Sequence, residues 1–576
     1  MNAERKMSLN VVIIGAVALG PKTACRLKRL LPEARVALID RDALISYGGC
    51  GIPYYISGDV SEASQLQSTS FHMVRDPHFF RQAKDVEVLA RTEALSIDRQ
   101  AKTVRVRALD TGEERDLPYD KLVLATGSRA NRLPVPGADQ ARVFTVSNLE
   151  EAIRIKELIA GGQVERPVVI GGGAIGLEMV EALSDLWGLE TTLVEVQDQL
   201  LPGIVGPNMA RMVKEHLHEH DVADVFLSER VERIEGQGAE LRLVTDKRTI
   251  ETDLIVMAVG VRPNIDLARA AGLEIGPTGA IAVDSRFRTS DPDILAGGDC
   301  VETMHLITGC KCYFPSGSLA NRQGRIIGTN LAGAVEEFDG VVGSFILKIF
   351  DLNAASAGLC LSRARAEGFD AFSAFVVQGD RAHFYPGMDL MYLELVVERP
   401  TGRVLGIQGL SGQGDALAAR IDAVAVLLKH APTVRDVSNL ELAYAPPFSA
   451  AMDVLNALGN TAENIMAGKN RIMDVDEFAG LFEQGPNGDF ICLDVRGPAN
   501  AEPFVRKHPG LWINIPQDEL RDRAGEVPAD KELILICNSG VRSYEAQVSL
   551  DHLGLGPSRN LQGGMAAIKK YGLKLD

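Results

Sequence analysis

The chain has 576 residues, more than one hydrophobic core accommodates, and at ~150 residues per domain it predicts about four domains. Its composition, 46% hydrophobic and 24% charged with 56 glycines, is that of a soluble α/β protein and excludes a disordered or fibrous one. A net charge of −17 excludes a dominant basic surface and, with it, nucleic acid as a partner. The cysteines (Cys25, Cys50, Cys300, Cys310, Cys312, Cys360, Cys492 and Cys537) are too sparse and irregular for a disulfide framework. A reducing cytoplasmic compartment is therefore expected, with cysteine serving chemistry or core filling.

In chain order, the opening MNAERKMSLNVVIIGAVALG sets charges before a short apolar run, as a signal peptide does. It continues into PKTACRLKRLLPEARVALID, a basic helix and a second apolar strand, so a βαβ unit is the better reading. No run of about 18 apolar residues occurs elsewhere, and no membrane span is expected. In VVIIGAVALG, Gly15 and Gly20 close a strand-to-helix turn, and Asp40 ends the next strand. In PVVIGGGAIGLE, Gly171, Gly173 and Gly176 do the same, and Glu195 ends TTLVEV. Such glycines let backbone reach a pyrophosphate, the helix N-terminus adds partial positive charge, and the later carboxylate holds a ribose diol. Either stretch alone could be an ordinary tight turn; two, each with strand, helix and acid in register, predict two dinucleotide sites. The first departs from the pattern at Val17 and Leu19, where small residues usually allow close approach.

Between the two fingerprints lies SYGGCGIPYYISG (46–58), in which Gly48, Gly49 and Gly51 surround Cys50; such glycines pack poorly but expose a thiol well. YDKLVLATGS (119–128), LIVMAVGVRPN (254–264) and DPDILAGGDC (291–300) are β-rich runs ending in glycine, the last with Asp299 as an acceptor at a strand end. HLHEH (216–220) sets His216 and His220 at i, i+4, a metal-compatible spacing. With no further ligand identifiable it reads as an exposed helix face, and no metal is expected. CKC (310–312) lacks a second pair, and Cys300 beside Asp299 reads as packing.

As a set, these motifs resemble the two-dinucleotide-binding flavoprotein reductases over residues 10–455, with FAD in the first fold and NADH in the second. The resemblance implies FAD contacts at Gly15, Val17, Ala18, Gly20, Asp40, Arg41, Ala94, Ala125, Thr126, Gly127, Gly298, Asp299 and Ala320, with Asp299 on the ribitol chain. It implies NADH contacts at Gly171, Gly173, Ile175, Gly176, Glu178, Glu195 and Gly260. The helix near SLANRQGR would aim its N-terminus at the flavin. Glutathione reductase-type members carry a second cysteine five positions after the first; here that place is Tyr55, which leaves Cys50 to form its redox disulfide or persulfide with the substrate.

The Cys50 stretch is similar to SFANCGLPYY of coenzyme A disulfide reductases and NADH-dependent persulfide reductases. ELAYAPPFSAAMD resembles the motif whose tyrosine comes from the other subunit in those enzymes, which gives Tyr444 as proton donor, Tyr385 of HFYPG as a second tyrosine, and a homodimer. Coenzyme A contacts are implied at Lys22, Arg26 and Arg29, which share a helix face, and at Ser46, Gly49, Lys84 and Asn321. The chain departs from that family at Gly49, which replaces an asparagine, and at Met452, which replaces a lysine.

A composition shift near AENIMAGKNRIMDVDEF marks a linker. DFICLDVRGPAN is a buried strand ending in Asp494 and Arg496; WINIPQDELRDR, ELILICNSGVRSYEA and NLQGGM follow. The strand into CNSGVRS and on into a helix resembles a rhodanese domain with Cys537 as sulfur carrier. Loop N–H groups and a helix N-terminus would hold the sulfur, and Arg542 would attract an anionic donor. Cysteine phosphatases place one more residue between Cys and Arg, so this spacing favours sulfur over phosphate.

The expected architecture is α/β: two Rossmann-like dinucleotide-binding domains (FAD, 1–125 and 256–335; NADH, 126–255), an α+β dimerisation domain (336–458), a linker (459–472) and an α/β rhodanese domain (473–576). The resemblance implies FAD-dependent, NADH-driven reduction of a small-molecule persulfide, polysulfide or coenzyme A disulfide through Cys50, with Cys537 collecting or delivering sulfur. Two alternatives stay open: an NADH oxidase or peroxidase cycling Cys50 through sulfenic acid, and a flavoprotein whose rhodanese is a redox-sensing or docking module.

Overall fold

The computed structural model describes residues 8–220, 222, 224–483 and 489–575. The charged segment before the first strand, residues 1–7, lies outside them. The chain divides into two compact units, Met1–Val196 with Ala223–Val341, and Gln197–Val222 with Val342–Asp576.

The first unit contains two parallel five-stranded sheets. One runs Ile294–Ala296, Lys121–Leu124, Asn10–Ile14, Arg35–Ile39, Glu87–Leu89. Its central strand is apolar from Val11 on because both faces are covered: Val11 and Ile13 belong to one buried cluster, Val12 and Ile14 to another. The Leu19–Leu30 helix lies against the Gly317–Leu331 helix, where a Cβ on Gly324 or Gly328 would stand 2.8 Å from the carbonyls of Leu19 and Thr23. Glycine is what permits that approach. The second sheet runs Asp224–Phe226, Thr192–Val194, Pro167–Ile170, Leu254–Met257, Val143–Phe144. Each half carries an antiparallel three-stranded meander, Thr92–Asp98 to Glu114–Pro118 and Val231–Gln237 to Thr249–Thr252.

The second unit pairs an antiparallel sheet with a parallel one. The antiparallel sheet runs Phe345–Ile349, Leu352–Gly358, Val404–Ser411, Leu390–Glu398, Ala371–Gly379. The parallel sheet runs Ile472–Met473, Ser558–Leu561, Glu532–Ile536, Phe490–Asp494, Trp512–Asn514. The two meet where Phe375 N donates to Gln562 Oε1 (2.8 Å). The Pro207–Glu219 helix, inside the segment expected for NADH, clusters with this unit, and the Val454–Met466 helix runs into the stretch expected as a linker.

Candidate active site

The two fingerprint turns have the same construction. Gly15 (φ 111°) and Gly171 (φ 109°) sit in the left-handed region, and a Cβ on either would overlap the carbonyl of Ala125 or Ala258. Gly20 and Gly176 allow the first helical turn to press on the carbonyls of Gly15 and Gly171. A Cβ on Gly173, by contrast, would meet nothing within 4 Å, leaving room ahead of the Ala174–Ser184 helix. Each turn is closed by its strand-end acid: Ala16 N donates to Asp40 Oδ2 and Gly172 N to Glu195 Oε2, both at 2.6 Å. Burial pushes the Asp40 carboxyl up, partly offset by the N–H groups of Asp42 and Ala16. Tight turn, open helix N-terminus and anchored carboxylate together fit a dinucleotide pyrophosphate and ribose.

Around the first turn, Val17 and Ala18 are half-exposed and Arg41 is exposed. Ala94 lies at a bulge in the Thr92–Asp98 strand, and Ala125 N donates to Ile14 O (2.8 Å). Thr126 Oγ1 donates to Asn264 O (2.7 Å), and Gly127 has φ 64°. Asp299 is held by Ser128 Oγ (3.1 Å) and by Ser316 N (3.2 Å), the residue before the helix that carries buried Ala320. Gln323, which sequence reasoning missed, accepts from Gly298 N (2.7 Å); its one signal is that it follows Ala320 by three positions on that helix. At the second turn Ile175 is exposed, and Gly260 (φ 83°) accepts from Asn131 N (2.9 Å).

Cys50 lies in the short turn Gly49–Gly51 that leads into the Ile52–Ser57 helix, with Pro53 in its first turn. The residue is exposed, with its sulfur partly covered. A Cβ on Gly317, the first residue of the 317–331 helix, would stand 3.4 Å from Cys50 Sγ, so the thiol faces that helix start. Burial of the sulfur, then the charges of Glu178 and Asp299, push its pKa up, while its own N–H and that of Gly317 pull the other way. Glu178 is itself pushed up to about 7, by burial and then by Glu181. Tyr55 is buried under the Lys156 ammonium, 4.0 Å from its ring centroid. Cys50 forms no disulfide.

The basic residues separate. Lys22, Arg29 and Lys84 act on Cys25, together with Arg75, which sequence reasoning missed because it stands 50 residues further along. Arg26 Nε instead donates to Thr329 Oγ1 (3.0 Å) on the neighbouring helix. Ser46 (φ 52°) is buried and donates its N–H to Ala16 O (2.8 Å); Gly49 is exposed; Asn321 Nδ2 donates to Gly317 O (2.8 Å).

In the second unit Tyr444 (52% exposed) and Tyr385 (38%) lie on adjoining loops, linked by Ala382 N to Pro446 O at 3.3 Å, among exposed Phe384, Phe448 and Met452. The buried Arg420 guanidinium ties the Tyr444 loop down through Phe448 O (3.1 Å) and Asp453 (2.7 Å). Cys537 is 1% exposed at the end of the Glu532–Ile536 strand. Its sulfur receives Gly540 N (3.1 Å) and Ser543 Oγ (3.2 Å) at the start of the Val541–Leu553 helix. Arg542 is half-exposed and makes no ion pair among the described residues. Asp494 and Arg496 form a buried pair (2.6 Å). The expected exposed histidine face is corrected: His216 lies on the buried side of its helix with Met209, Met212 and Val213, 4% exposed.

A paired dinucleotide fold with a thiol facing the start of the 317–331 helix is the frame of a pyridine nucleotide-dependent oxidoreductase, and the chain belongs to the pyridine nucleotide-disulphide oxidoreductase family, which it matches over residues 9–317. It matches that family's dimerisation domain over 345–455 and a rhodanese-like domain over 474–571. The family uses FAD and NAD(P)H. Among solved structures the chain is similar to an NAD-dependent persulfide reductase from A. fulgidus (41% identity, TM-score 0.91, 97% of this chain and 100% of that one). It is also similar to reduced CoADR-RHD of Bacillus anthracis (33% identity, TM-score 0.89, 99% of each chain). A curated relative, the NAD(P)H sulfur oxidoreductase (CoA-dependent) of Pyrococcus abyssi, is 35% identical over 453 residues, 79% of this chain and 98% of its own.

Proposed function

We propose that this chain uses NADH to reduce the sulfane sulfur of a persulfide or polysulfide, or a coenzyme A disulfide, through Cys50, with Cys537 handling sulfur in the rhodanese-like domain. The observation that carries this reading is the isolation of Cys50. The residue is exposed, it forms no disulfide, and buried Tyr55 stands where an internal partner would be. A redox cysteine without an internal partner makes its disulfide with the substrate. When bound, FAD supplies the relay of two electrons from NADH to sulfur.

The chain's own residues do the rest. Gly15, Gly20 and Asp40 with their neighbours hold one dinucleotide, and Gly171, Gly173, Gly176 and Glu195 the other. Cys50 attacks the outer sulfur and releases the carrier thiol, and the overall change is RSSH + NADH + H⁺ → RSH + H₂S + NAD⁺. The proton for the departing thiolate comes from Tyr444, supported by Tyr385, reaching the Cys50 site of the other subunit of a dimer. The exposed apolar side chains around Tyr444 support that interface, since a patch of this kind marks an interaction site. Lys22, Arg29 and Lys84 grouped on one side of the first fold support an anionic carrier such as coenzyme A. Sparse and irregularly spaced cysteines fit the cytoplasm, and no helix among the described residues is long and apolar enough to cross a membrane.

The test is steady-state NADH oxidation with persulfide, polysulfide and coenzyme A disulfide against oxygen and peroxide. Turnover on one of the sulfur acceptors supports the reading. Turnover confined to oxygen or peroxide would replace it with the sulfenic acid cycle.

A further inference from the structure

Outside the sulfur chemistry, three side chains from two elements converge in the second unit. His216 and His220 lie at the end of the Pro207–Glu219 helix, and Asp351 lies in the turn between the Phe345–Ile349 and Leu352–Gly358 strands. Asp351 Oδ1 is 3.0 Å from His216 Nε2 and 2.8 Å from His220 Nε2, and the three atoms lie within 4.8 Å of one another. Bonds of about 2.0–2.1 Å in a tetrahedral zinc site set ligand atoms about 3.3 Å apart, so Asp351 Oδ1 needs to draw back from each imidazole nitrogen by only about half an ångström.

Two further observations point to a ligand here. His216 is 4% exposed, and its Nε2 has no hydrogen-bond partner although it faces the carboxylate. A buried orphan nitrogen is costly unless something binds it. Phe350, a bulky residue, holds φ at 56° in the turn that aims Asp351, and its ring stacks on His220 (4.5 Å, 11°). Outside the three, Glu219 Oε2 is 3.4 Å from His216 Nδ1, placed to take up the Nδ1 proton and leave the Nε2 lone pair to an ion when one binds. Lys570 Nζ stands 3.3 Å from that Nδ1 and 3.7 Å from Glu219.

We propose that His216, His220 and Asp351 form a site for Zn²⁺ or another late first-row divalent ion, which ties the end of the 207–219 helix to the 350–351 turn. Two imidazoles and one carboxylate are borderline donors suited to such ions and leave a fourth position for water. The site is independent of the sulfur reaction.

The test uses the full-length FAD-loaded protein after chelator treatment, titrated with Zn²⁺ and, for spectroscopy, with Co²⁺. The expected result is one ion retained per chain, a thermal midpoint that rises with Zn²⁺, and cobalt bands without thiolate-to-metal charge transfer. Asp351→Asn and His220→Gln should each weaken binding at least about 100-fold, more than the loss of an outer-shell partner. Flavin spectrum and NADH turnover should stay as in the parent and so report folding. No retained ion, retention unchanged in both variants, or charge-transfer bands from a cysteine-held ion would each overturn the proposal.

Discussion

Cys50 and Cys537 are the two thiols to which the proposed function gives sulfur chemistry, and their exposure is opposite. Cys50 is exposed on a glycine turn, and burial of its sulfur with the charges of Glu178 and Asp299 disfavours a thiolate. Cys537 is buried, with one backbone N–H and one hydroxyl aimed at the sulfur from the start of a helix. Donors arranged around a fixed sulfur suit storage of an anionic persulfide, because they stabilise negative charge without reorganising. Cys50 also meets two N–H groups, its own and that of Gly317, but on a residue open to solvent, which suits exchange with a cofactor on one side and a substrate on the other. If both thiols act as proposed, the contrast divides reactivity and retention between two sites.

The strongest way to break the comparison is Cys50→Ser. If all electrons reach sulfur through this thiol, reduction of every sulfur acceptor should fall at least about 1,000-fold, roughly 4 kcal/mol, while flavin absorbance and NADH binding persist. Parent-level acceptor reduction would show the exposed turn to be structural.

At Cys537 the expected effects are smaller and selective. Cys537→Ser should slow protein-borne or poorly diffusing sulfane donors about 10-fold, because tethering raises effective concentration to roughly millimolar, and leave small soluble acceptors nearly unchanged. An equal loss on every acceptor would signal a folding defect, and no loss on any would remove Cys537 from the reaction. Ser543→Ala deletes one donor to the sulfur (3.2 Å) and should cut transfer from thiosulfate-like donors about 10-fold, the value of one hydrogen bond to a charged group.

The cofactor turn offers a comparable test within the first unit. Glu195 ends its strand where a ribose 2′-hydroxyl should sit, and VEVQDQLLP holds no arginine for a 2′-phosphate. NADH should therefore be preferred over NADPH by at least about 10-fold, roughly 1.4 kcal/mol, in kcat/KM. Equal use of the two would remove Glu195 from ribose recognition.

What the sequence made legible are local constraints. Gly15 and Gly171 answer to a left-handed turn and a carbonyl within reach, and both needs are met inside ten residues, so the fingerprints read correctly from a short string. CNSGVRS likewise encodes its own loop and helix start. Contacts made by folding are not written this way. Asp351 lies 131 residues from His220, and Arg75 joins the Cys25 group from 50 residues away, so no spacing announced either. His216 did carry a signal: it follows Met209, Met212 and Val213 at helical spacing, the pattern of a buried face. Reading the histidine pair alone, without that stripe, put it in solvent.

The smallest effect tests the electrostatic half of the comparison. Burial, then the charge of Glu181, pushes the Glu178 carboxyl up to about 7, so the folded chain holds its proton more tightly than the unfolded chain does. A pKa raised on folding contributes stability that is complete below the unfolded value and is lost as pH rises through the folded one. Glu178→Gln keeps the shape and removes the titration. From pH 6 to 8 the parent should therefore lose about 1 kcal/mol more stability than the variant, read from denaturant midpoints at each pH. The same carboxylate, once charged, pushes the Cys50 thiol up. At pH 8 alkylation of Cys50 should accordingly run about two- to threefold faster in the variant, while alkylation of Cys537 should not change. An identical Cys50 rate in both proteins would mean that Glu178 does not set the state of that thiol, and exposure alone would then separate the two cysteines.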